Sequence, residues 1–263
     1  MLNRFRQTGF SLVELMVGLV VGLIVVAGAS AMYVSTVRGQ AYALRAAKLN
    51  QDLRATMNVI AADVRRAGYW GGAITGAGNP APLPHPYSLA DGTTQTDLTV
   101  LEAGTCLMYA YDADADASNP VEAGEVFGFR LAGNVIQMLD PGNTLVETDD
   151  CDAGTWAGMT SNDTVVVDAL IFSTTGSQCL NASQGISWRL TAANSVLSAC
   201  AAPVADVTMN AGATYAAPVS GNVLTEVRQL TITMTAHHQS DAATASTITE
   251  VVHLGNNRIF SIP

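Results

Sequence analysis

The amino-acid sequence predicts an α+β protein: one long N-terminal α-helix, membrane-spanning in its first half, packed on an antiparallel β-sheet head. Three observations carry that expectation. Between residues 10 and 37 the chain is apolar with a single charged side chain, Glu14, and a helix needs roughly 20 apolar residues to cross a bilayer core. Beyond it Leu49, Leu53, Ile60 and Val64 recur at helical spacing with Met57 between them, the pattern of an amphipathic helix. After residue 72 the pattern changes to Gly- and Pro-bearing turns between short β-type runs. The clearest is Leu230-Thr231-Ile232-Thr233-Met234-Thr235, where apolar and polar side chains alternate strictly, as they do in a strand with one buried face.

Composition narrows the function. The 263 residues are enough for one large domain or two small ones. Charged residues make up only 13%, against about 25% in ordinary soluble domains. The net charge of −10 gives no electrostatic footprint for phosphates, so no nucleic acid is expected as a partner. His85, His237, His238 and His253 are scattered. There is no G-x-S-x-G, H-E-x-x-H or phosphate-binding glycine loop. We therefore expect neither catalytic residues nor a cofactor, and read His237-His238 as the solvent-exposed end of a strand.

The N-terminal element comes first. Arg4 and Arg6 precede the apolar run and no basic residue follows until Arg38, which places the N-terminus in the cytoplasm and the head in the periplasm. Ala29-Ser30-Ala31 would suit a secretory signal peptide, but the apolar stretch before it is longer than such signals use. A plain anchor would leave Glu14 unexplained, since an acid in a spanning helix costs about 2.5–3.5 kcal/mol at the helix centre. Gly9-Phe10-Ser11-Leu12-Val13-Glu14-Leu15 resembles the class III leader junction of type IV prepilins and type II secretion pseudopilins. The resemblance implies a cleaved leader, residues 1–9, removed after Gly9 by a prepilin peptidase that then methylates Phe10. It also implies that Glu14 serves subunit assembly by pairing with the N-terminal amine of a neighbour, and that the fold is the type IV pilin fold.

The helix is expected over residues 10–68, with 10–37 in the membrane and 38–68 an amphipathic stalk that stops at Gly68. Gly18 and Gly22 form a G-x-x-x-G, a spacing that chance explains in glycine-bearing spans. Pilins often carry a helix-breaking proline in this region, and this chain has none before Pro80. Residues 69–96, with Pro80, Pro82, Pro84 and Pro86, read as a linker loop, and residues 97–263 as the head. Strands are expected at 97–101, 105–111, 125–131, 135–139, 164–172, 186–190, 225–236, 247–254 and 258–262.

Four cysteines, Cys106, Cys151, Cys179 and Cys200, are an even number in an exported domain and favour disulfides. Three connectivities are possible, and sequential pairing, Cys106–Cys151 with Cys179–Cys200, closes the shortest loops. Asp112, Asp114 and Asp116, with Glu122 or Glu125, could offer oxygen ligands to calcium. An EF-hand loop begun at Asp112 would need Gly at 117 and Glu at 123, and both are Ala. We read a solvated acidic loop and expect no metal.

Cys106-Leu107-Met108-Tyr109-Ala110-Tyr111-Asp112, Glu125-Val126-Phe127-Gly128-Phe129-Arg130-Leu131 and Arg65-Arg66-Ala67-Gly68-Tyr69-Trp70-Gly71 are similar to minor pilins of the PilW type. The general shape resembles the pseudopilin GspJ. Major pilins usually carry a C-terminal disulfide loop, whereas Cys200 lies 63 residues from the end. The resemblance implies a minor pilin that primes or tips a type IV pilus. Its implied partners are other major and minor pilins, the prepilin peptidase, the inner-membrane assembly platform and the membrane itself. A type II secretion pseudopilin and a tip adhesin are the alternatives.

Overall fold

The computed structural model describes residues 9, 11–71, 97–115, 121–189, 200 and 219–261. By its internal contacts the chain divides into two units, Met1–Lys48 and Leu49–Pro263. Helix α1, Leu12–Val64, contributes to both. The fold is α+β: one long N-terminal apolar helix and antiparallel sheets. Residues 65–68, expected at the helix end, lie in turns instead. Gly68 closes them with φ +73, and a Cβ there would lie 3.1 Å from the Arg228 guanidinium. Only glycine takes that backbone shape at no steric cost.

In the second unit twelve strands are described, arranged in three antiparallel sheets. The first runs in the order β1 (Leu98–Leu101), β2 (Cys106–Ala110), β3 (Val126–Ala132), β4 (Val135–Leu139), β5 (Trp156–Gly158). A second holds β6 (Val165–Ser173), β10 (Gln229–His238) and β11 (Asp241–His253), with β10 central. The third is ordered β12 (Arg258–Ser261), β9 (Val223–Val227), β7 (Gln178–Asn181), β8 (Ile186–Arg189).

The main core forms where the stalk stripe meets the sheets. Leu49, Leu53, Met57, Ile60 and Val64 pack in one cluster with Leu230, Ile232, Met234 and Ala236 of β10 and with Leu107, Tyr109 and Phe129. This is the apolar face expected from the alternation in β10, whose Thr231, Thr233 and Thr235 remain half-exposed. Strand β2 is buried along its whole length. Its Leu107 and Tyr109 enter the main core, while Cys106, Met108 and Ala110 enter a second cluster with Val126, Leu139 and Cys151. Burial on both faces explains why that strand reads as a continuous apolar run rather than an alternating one. Cys106 is bonded to Cys151 and Cys179 to Cys200.

Two expectations about strands need correction. The run 225–236 is not one strand but β9 and β10, in different sheets, joined through Arg228. Arg228 is 1% exposed and donates to Asp97 Oδ2 at 2.5 Å and to the Asn256 carbonyl at 2.6 Å. A buried guanidinium is stable only with such partners, and reaching them turns the chain from one sheet into the next. The run 247–254 starts earlier, at Asp241, because its Ala-rich front half completes the hairpin with β10. Strands β5 and β7 were not expected from the sequence at all.

Candidate functional site

The residues that drew attention at the N-terminus belong to the first unit. Ser11 is the N-cap of α1: its Oγ accepts the Val13 N–H at 3.3 Å and its carbonyl accepts the Leu15 N–H at 3.2 Å. Gly9 lies outside the helix, and Glu14 sits in its first turn. Phe10 and residues 1–8 lie outside the described residues. A carboxylate in the first helical turn is favoured by the positive end of the helix dipole. Ser11-Leu12-Val13-Glu14 has the S-x-x-E spacing of a capping box. That spacing is a local sequence signal for a helix that starts at Leu12.

From Leu12 to Gln40 the helix is bare. Leu12 is 75% exposed, Leu19 61% and Ile24 66%. The helix is long and apolar enough to cross a membrane, and its most apolar window is not buried by any of the described residues. Apolar surface on this scale needs a cover of lipid or of other helices. Glu14 is the single charge in that surface up to Val37, so its site can attract a cation in a low-dielectric setting far more strongly than in water.

In the second unit, three elements converge on Tyr109. Its hydroxyl donates to Asp63 Oδ2, and Asp63 is also ion-paired with Arg66. The Arg66 guanidinium lies 4.5 Å over the Tyr111 ring, which stacks at 4.2 Å on Phe127. Burial, and secondarily the neighbouring Tyr111, push the Tyr109 hydroxyl well above the usual tyrosine pKa, with Arg66 acting the other way. Beside this cluster runs an apolar groove lined by Val59, Ala62, Phe127 and Met138. The arrangement joins the end of α1 to β2 and β3.

The acidic loop is partly gathered. Carboxylate oxygens of Asp112, Asp114 and Glu125 lie within 4.8 Å of one another, and Asp116 lies outside the described residues. Asp112 Oδ2 accepts the Gly71 N–H at 2.9 Å, and Glu125 Oε2 accepts the Glu122 N–H at 2.6 Å. Asp112 and Glu125 are buried rather than solvated, so the reading of a simple solvated loop fails for these two: they tie down backbone around the turn. The reading of His237 is also corrected. It is half-buried, with Nδ1 2.9 Å from Asp168 Oδ2, because the β6–β10 pairing brings Asp168 beside it. His238 Nδ1 accepts the Ser240 N–H at 3.1 Å, and His85 lies outside the described residues.

An exposed apolar helix with a methylation-type N-terminus, leading into a disulfide-bonded antiparallel head, defines a type IV pilin-like protein of the minor-pilin kind. A profile for the prokaryotic N-terminal methylation motif matches residues 4–30, and one for prepilin peptidase-dependent protein B matches residues 42–254. The chain belongs to the prepilin peptidase-dependent protein B family. Prepilin peptidase-dependent protein B of Escherichia coli (strain K12) is 23% identical over 166 residues, spanning 62% of this chain and 75% of that protein. No solved structure matches.

Proposed function

We propose that this chain is a minor pilin of the PilW type, a structural subunit that primes assembly of a type IV pilus or sits at its tip. The observation that carries the reading is the pairing of a methylation motif with a helix whose first half is bare and apolar, with Glu14 its single charge up to Val37. In this reading residues 1–9 form the leader, 10–37 span the inner membrane, 38–68 form the stalk, 69–96 the linker and 97–263 a periplasmic head. Prepilin peptidase cuts after Gly9 and methylates Phe10. Insertion into a filament then moves the span from lipid into a bundle of like helices. Glu14 guides register by meeting the N-terminal amine of a neighbour: two opposite charges in low dielectric attract, whereas either alone is costly. The partners are therefore other pilins, the peptidase and the inner-membrane assembly platform.

The test is a clean deletion strain scored for surface pili, twitching and exoprotein secretion. Lost pili with normal secretion supports the reading. Lost secretion with normal pili moves the chain to a type II secretion system, and normal results in both move it to an accessory role such as adhesion.

A further inference from the structure

The start of α1 bears on how the leader is removed, given the reading that the cut falls between Gly9 and Phe10. The helix begins at Leu12, Ser11 caps it, and Gly9 lies outside it. The bond to be cut is thus immediately upstream of the cap. A bond inside a helical turn must first be exposed by local opening, and its cleavage rate follows the population of the opened state. Where the helix starts is therefore a variable in the reaction.

Ser11 sets that variable because its side-chain oxygen satisfies one of the orphan N–H groups at the helix end. The nearest capping side chain upstream is Thr8. A helix begun from Thr8 would take Gly9 and Phe10 into its first turn and move Glu14 into its second, away from the positive end of the dipole. Gly9 opposes that shift, since glycine is a poor helix former. Ser11, Glu14 and Gly9 thus all favour a start at Leu12. We propose that Ser11 is a positioning residue for leader removal: its cap fixes the helix start at Leu12 and keeps Gly9, the residue after which the cut falls, out of the helix.

The experiment measures initial cleavage rates of the full-length precursor in membrane vesicles by purified prepilin peptidase. It compares Ser11→Asn, Ser11→Thr, Ser11→Gly and Ser11→Ala with the wild type, and uses Gly9→Ala as the control for the cut site. Rates should follow capping strength: Ser and Asn together, Thr and Gly slightly below, Ala slowest by roughly 2- to 30-fold, the range spanned by N-cap losses. Thr8→Ala added to Ser11→Ala should recover part of the rate by removing the competing cap. Wild-type rates for Ser11→Ala overturn the proposal. So does an order in which only Ser and Thr are cut well, because that means the peptidase reads the hydroxyl itself. Normal cutting of Gly9→Ala sinks the cleavage reading beneath it, whereas an uncut Gly9→Ala beside an indifferent Ser11 series sinks the cap alone.

Discussion

Tyr109→Phe isolates one buried hydrogen bond and asks how firmly the end of α1 is held to the first sheet. Tyr109 is fully buried in the main core, and its hydroxyl donates to Asp63 on the last turns of the helix. Phenylalanine keeps the ring, its stack with Phe129 at 6.0 Å, and the surrounding packing. The loss is a hydrogen bond to a charged acceptor, worth about 1.5–3 kcal/mol. Asp63 keeps Arg66 as a partner, so the carboxylate is not abandoned and the cost belongs at the lower part of that range. For a unit of the size of Leu49–Pro263, each kcal/mol lowers Tm by about 2–4 °C, so a cost of about 1.5–2 kcal/mol should bring the melt roughly 3–8 °C below the wild type.

The same residue makes a prediction about pH. Burial raises the pKa of Tyr109 in the folded protein, while an unfolded tyrosine ionises near pH 10 (roughly). Below that pH both states are neutral and the contribution is complete. Above it the unfolded chain loses a proton that the folded one keeps, so stability falls as pH rises toward the folded pKa. Thermal melts of the detergent-solubilised protein, followed by circular dichroism across neutral and alkaline buffers, test both points. Tyr109→Phe should lower the neutral Tm and flatten the alkaline decline; Tyr111, also raised chiefly by burial, retains part of it. An unchanged neutral Tm together with an unchanged alkaline slope would refute the reasoning.

The remaining predictions concern assembly, cross-linking and packing. Glu14→Ala should still lose its leader but assemble poorly; wild-type piliation of a strain carrying it as the sole copy would remove the pairing role. Replacing Cys106 and Cys151 together by Ala should cost about 2–5 kcal/mol, read as an earlier urea midpoint, because the bond links positions 45 residues apart and its loss frees the unfolded chain. Leu53→Ala, at 1% exposure in the core, should cost about 2–5 kcal/mol. Leu19→Ala, on the bare part of the helix, should leave the melting of the head unchanged, and equal effects of the two would mean the two units are not distinct.

The sequence by itself determined the features that repeat at short range. The apolar run around Glu14, the stripe Leu49, Leu53, Ile60 and Val64, and the alternation through Leu230, Ile232 and Met234 each report a local period. A period of 3.6 or 2 residues survives whatever the chain meets later. The three residues of β5 and the four of β7, Gln178–Asn181, are too few to carry such a period. Their strand character comes from neighbours, β4 in one case and β8 with β9 in the other.

Only the tertiary structure decided which side chains far apart in the chain become partners. Asp97 and Arg228 are 131 residues apart, Asp63 and Tyr109 46, Asp168 and His237 69. Nothing local distinguishes a buried arginine from a solvated one. The packing of the sheets places Asp97 beside Arg228, and that pairing offsets the cost of burying the guanidinium where the chain passes from β9 to β10.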